Sequence, residues 1–149
     1  MQKKFYMLIF IVVSLFIFNT NIFASEIFVY KNPNCGCCNK WITHLEENSF
    51  TVKSENISNL NSIKEKLGVS KELGSCHTAV VEGYVIEGHV PVEDIRRLLD
   101  ERPEITGLSV PEMPIGSPGM ELGNKKEEYD VLAISKDGST SVYSSYNNK

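Results

Sequence analysis

The chain has 149 residues, 42% of them hydrophobic, with 15 basic and 19 acidic side chains and a formal charge of −4. That length holds one domain of ordinary size, and the apolar content excludes disorder over the whole chain. The acidic balance argues against a nucleic-acid partner, which calls for a basic patch.

The first 24 residues read separately from the rest. Five of the seven Phe fall within the first 23 positions, and no acid precedes Glu26. Lys3 and Lys4 are followed by an apolar run, 5–18 (FYMLIFIVVSLFIF), and Ala24 offers a small residue at a cleavage point. A basic start, a short apolar stretch and a small residue describe a secretory signal peptide over 1–24. The run falls short of the roughly 20 residues that cross a bilayer. The expectation is an exported, periplasmic protein with no stable membrane association, its mature part being 25–149. Removing the signal takes two Lys and no acid, leaving −6 on the remaining 125 residues.

From there the predicted elements follow in order. Glu26–Lys31 (EIFVYK) is a strand, broken by Asn32-Pro33-Asn34. Cys38, Trp41, Ile42 and Leu45 recur at the spacing of one helical face, so a helix follows to about Asn48. A second strand spans 50–57, and Ser58 or Asn59 caps a helix that Gly68 stops. A single turn at 70–73 leads to two short strands, 78–82 and 84–87, around Gly83. Pro91 reads as the first residue of a helix continuing over 92–101. The order β-α-β-α-β-β-α resembles a thioredoxin-like α/β domain. Residues 103–124, rich in Pro and Gly, read as one long loop carrying Met113 and Met120. Two strands over 128–146, turning at Asp137-Gly138, read as a C-terminal hairpin.

The chemistry is concentrated in cysteine. Four Cys in an exported chain first suggest two structural disulfides. Cys35 and Cys38 instead form a C-x-x-C pair at a strand-to-helix junction, where the helix N-terminus favours thiolate. Cys37 adds a third sulfur, which a dithiol redox pair does not need. Cys76 lies at the start of the third strand, which pairs antiparallel with the first, so it faces the same turn. Four converging sulfurs describe one soft-metal site suited to Cu(I), zinc or an iron–sulfur cluster. Both Met of the mature chain sit in the Pro/Gly loop, and thioether favours cuprous copper over zinc. His77 adjoins Cys76 and is a candidate ligand, hydrogen-bond donor or proton shuttle. His89 ends the fourth strand and is expected to rim the site at roughly 10 Å, two strand spacings away. His44 lies about 10 Å along the helix from Cys37 and reads as a surface residue.

With these residues assembled, the chain resembles the CopG-type family of exported, thioredoxin-like copper-resistance proteins. The likeness is carried by 30–41 (YKNPNCGCCNKW), 75–80 (SCHTAV), 82–91 (EGYVIEGHVP) and 113–120 (MPIGSPGM). It implies a thiolate-bridged cluster of Cu(I) ions on Cys35, Cys37, Cys38 and Cys76, with His77, His89, Met113 and Met120 as further candidate ligands. It also implies a role in copper homeostasis alongside other periplasmic copper-handling proteins, extending to redox cycling between Cu(I) and Cu(II). Thioredoxins carry a cis-proline just before the third strand, where this chain has Cys76-His77-Thr78, which weakens a disulfide-exchange reading. That reading is the alternative: a thiol–disulfide oxidoreductase or an arsenate-reductase-like enzyme using Cys35 and Cys38, since YKNPNC resembles the start of the latter. A zinc-stabilised, non-catalytic domain is the third.

Overall fold

The structure is a computed structural model that describes residues 25–146. The signal segment read over 1–24 and the frayed end at 147–149 lie outside the described residues. Strand β1 is Glu26–Lys31, helix α1 Gly36–Glu47, β2 Thr51–Asn56 and α2 Leu60–Lys66. After a 3-10 turn at Lys71–Leu73 come β3 His77–Val81, β4 Tyr84–Glu87 and α3 Val92–Glu101. Then β5 Ile105–Ser109, β6 Tyr129–Ser135 and β7 Thr140–Tyr146 complete the described chain. The first seven elements follow the expected order, and the C-terminal hairpin is present. Together the strands make one mixed sheet in the order β2-β1-β3-β4-β5-β6-β7.

Two expectations are corrected. Residues 103–124 are not one loop, because β5 lies inside them and pairs parallel with β4 and antiparallel with β6. Gly107 looked like loop punctuation, but it is a close-approach position in a strand. A β-carbon there would sit 1.8 Å from the Val85 carbonyl oxygen, and the register of β5 against β6 shifts beside it. Pro91 is the residue before α3 rather than its first: extended backbone (ψ 146°) places it at the N-cap.

Strand periodicity shows that both faces of the sheet are covered. In β4, Ile86 packs into a cluster with Trp41 and Leu45 of α1 and Ile95 and Leu98 of α3. Its neighbour Val85 packs with Val69 and Leu73, which follow α2. Successive strand residues point to opposite faces, so α1 and α3 cover one face and the α2 segment the other. The buried stripe of α1, Cys38, Trp41 and Leu45, fixes that helix with its first turn at the end of β1.

Candidate metal centre

The site begins where β1 ends. The Asn32 side chain accepts from Asn34 N at 2.9 Å and its carbonyl from Cys35 N at 3.1 Å, turning the chain into α1. Cys35 is the N-cap residue, its sulfur accepting from Cys38 N at 3.2 Å. Opposite, Lys31 of β1 pairs in register with His77 of β3. Cys76, one residue earlier, is thereby brought to the α1 N-terminus.

All four cysteines meet here. Cys37 Sγ lies 3.4 Å from Cys35 Sγ and 3.5 Å from Cys76 Sγ. Cys35 and Cys38 are joined as a disulfide, while Cys37 and Cys76 are free thiols. The four sulfurs lie within 4.8 Å of one another, and so do the ligand atoms of Cys76, His77 and His89. His89 follows β4, which pairs with β3, and reaches the centre from the Cys76 side, with Nε2 3.3 Å from Cys76 Sγ. Gly88, at a positive φ of 73° and with its N–H on the His77 carbonyl, joins β4 to His89.

Protonation states follow from the partners. His89 Nδ1 lies 2.8 Å from the Pro118 carbonyl, which only accepts, so Nδ1 carries the proton and Nε2 its lone pair. Burial lowers the pKa of this ring, keeping it neutral. Burial first, then the His89 ring and the Lys64 ammonium, hold His77 well below the ordinary 6.5. His77 Nδ1 lies 3.5 Å from Cys76 Sγ, and its buried Nε2 has no hydrogen-bond partner. Burial, followed by the adjoining Cys37 sulfur, pushes the Cys76 thiol up to about 12. Cys76 thus stands as a protonated sulfur between two neutral imidazoles.

Trp41 braces this arrangement. Its Nε1 donates to the Val90 carbonyl at 2.9 Å, and its ring centroid lies 4.3 Å from that of His77. The Met-bearing segment 111–123 crosses over it. Gly119, at φ +86°, packs so closely that a β-carbon would lie 2.8 Å from Trp41 N and 3.0 Å from the Cys37 carbonyl oxygen. Met120 follows directly and is half-buried. Met113 is 45% exposed and lines a groove with Glu112, Glu127 and Asp130. His44 is half-buried rather than a surface residue, its Nε2 out of water and unpartnered.

Two charged residues that sequence reasoning passed over lie beside this centre. Glu87 is fully buried at the end of β4, and Lys64 of α2 is bonded to it. The signal was available: Glu87 shares a strand face with Val85, and an acid on a core-facing position needs a buried partner.

Comparison with known proteins agrees with this arrangement. A family profile described as a protein of unknown function, DUF411, matches residues 73–120. These hold Cys76, His77, His89, Met113 and Met120. No curated protein matches the chain significantly. A solved structure described as copper resistance protein CopG, form 2, is 43% identical, covers 84% of this chain and 100% of its own, and superposes with a TM-score of 0.81. A second, described as form 1 of the same protein, is 44% identical, covers 83% of this chain and 98% of its own, and gives 0.79. With that identity over nearly its whole described length, the chain belongs to the family of CopG copper resistance proteins.

Proposed function

We propose that the protein binds Cu(I) as cargo in the periplasm, on thiolates of Cys35, Cys37, Cys38 and Cys76, and acts there in copper resistance. One observation carries this reading: four sulfurs and two neutral imidazoles converge within 4.8 Å in each overlapping group. The donor chemistry fits a soft, monovalent ion, and the unpartnered His77 Nε2 is a buried polar atom that lacks a protein partner. Met120, next to the Gly119 contact with α1, is the candidate thioether ligand. The β-α-β-α-β-β-α portion serves as a thioredoxin-type scaffold that sets these groups at the end of the interior strands β1, β3 and β4. Residues 1–24 direct export, and no helix of the described residues is long and apolar enough to cross a membrane.

Engaging all four sulfurs requires an external dithiol reductant, which gives the Cys35–Cys38 bond two electrons and two protons and is itself oxidised to a disulfide. The thiol protons then leave as metal binds, so affinity falls as pH falls. Metal analysis of protein purified anaerobically from copper-supplemented cells tests the reading. More than one copper per chain, lost on Cys76→Ser, is expected. One zinc per chain with indifference to copper refutes it in favour of a zinc-stabilised domain.

The disulfide itself favours a second reading, thiol–disulfide exchange by Cys35 and Cys38 at the α1 N-terminus. Rapid reduction of insulin disulfides by metal-free reduced protein, unchanged on Cys37→Ser, would establish it.

A further inference from the structure

The Cys76 side of the centre is held from the far face of the sheet. Thr78 lies opposite Glu87 in the β3–β4 register, on the same face as Val85. His77, the adjoining residue, points the other way, toward Trp41. Glu87 Oε1 accepts from Ser75 N at 2.5 Å and from Lys64, and Oε2 accepts from Thr78 Oγ1 at 2.6 Å. Lys64 Nζ also donates to Thr78 Oγ1 at 2.8 Å and to the His77 carbonyl at 3.4 Å. The three ammonium protons thus have three acceptors, and the carboxylate has three donors. Ser75, His77 and Thr78, which bracket Cys76, are each bonded to this one ion pair.

We propose that Lys64 and Glu87 are positioning residues for copper binding, fixing Cys76 and His77 by clamping the peptide segment 75–78. The proposal rests on the copper reading above. A role in stability alone accounts poorly for the pair, since apolar residues of similar size commonly hold a fold as well as a buried ion pair. Apolar residues cannot hold the Ser75 peptide N–H or the Thr78 hydroxyl in place. Ser75 carries the clamp further, its Oγ donating to the Glu112 carbonyl at 2.7 Å, where the Met-bearing segment begins.

The test compares the full chain with Lys64→Met/Glu87→Leu, Thr78→Val and Thr78→Ser. Each is melted as reduced, metal-free protein and then titrated with Cu(I) against a chromophoric chelator. The double variant and Thr78→Val are expected to melt cooperatively yet bind copper on the order of 10–100-fold more weakly, as for other residues that orient ligands. Thr78→Ser, which keeps the hydroxyl, retains wild-type affinity. A folded double variant with wild-type copper affinity overturns the proposal. If the double variant does not fold, the Thr78 pair decides: equal binding by the Val and Ser variants overturns it. If the wild type binds no copper, the function reading fails instead. Alkylation of Cys76 in metal-free protein then reads the clamp directly, and equal rates in wild type and Thr78→Val overturn it.

Discussion

Replacing Gly119 by alanine asks whether the Met-bearing segment is seated on α1. The added β-carbon meets two backbone atoms, Trp41 N at 2.8 Å and the Cys37 carbonyl oxygen at 3.0 Å, and neither can swing aside as a side chain would. The left-handed backbone (φ +86°) adds about 1–2 kcal/mol for a residue with a β-carbon. If the segment lifts to relieve the contact, the 2.8 Å bond from His89 Nδ1 to the Pro118 carbonyl is lost, roughly 1 kcal/mol more. The expected loss is therefore about 2–3 kcal/mol. Gly138→Ala is the control: φ is +84° but nothing lies within 4 Å, so only the backbone term of about 1–2 kcal/mol remains. Urea denaturation of both reduced, metal-free variants measures the difference. Chelator competition should show weakened copper binding for Gly119→Ala alone. Equal losses in the two variants, with wild-type copper binding in both, would refute the seating.

Two further predictions concern protons. His77 and His89 both have pKa values below the ordinary 6.5, so the unfolded chain takes up protons that the folded one refuses. Their contribution to stability is complete above 6.5 and is lost as pH falls below it, at up to about 1.4 kcal/mol per pH unit for each ring. Denaturation curves across that range should show the slope, and His77→Asn should reduce it; a profile flat below 6.5 contradicts the assignment. Cys76, held protonated up to about 12, should be alkylated slowly by iodoacetamide at neutral pH in the reduced, metal-free protein. Peptide mapping should show its rate climbing about tenfold per pH unit, and rapid modification at pH 7 would contradict the burial argument.

Much of this was legible in the sequence because local rules and global packing agree. The apolar spacing of Cys38, Trp41 and Leu45 specifies α1, and antiparallel pairing of β1 with β3 brings Cys76 to Cys35 without any local signal between them. β5 was illegible for the opposite reason. Gly107, which marks a turn in most contexts, serves here as the position where the Val85 backbone approaches too closely for a side chain. The reach of His89 is underestimated when strand spacings are counted from Cys35, because Cys76 lies at the start of β3, the strand next to β4. The Lys64–Glu87 pair was missed because the two charges lie 23 residues apart and on different elements; only the fold shows that they share a buried face.

Trp41 is the chain's single tryptophan. Its ring centroid lies 4.3 Å from that of His77, the neighbour of Cys76, and its indole N–H is anchored to Val90, so it is fixed beside His77 and screened from water. The protein therefore carries its own optical probe. Excited at wavelengths where tyrosine does not absorb, the protein emits from this one fluorophore, set against the His77 ring. Changes at the cysteine cluster, whether metal arrival or reduction of the Cys35–Cys38 bond, can be followed in unlabelled protein as changes in the brightness of one residue.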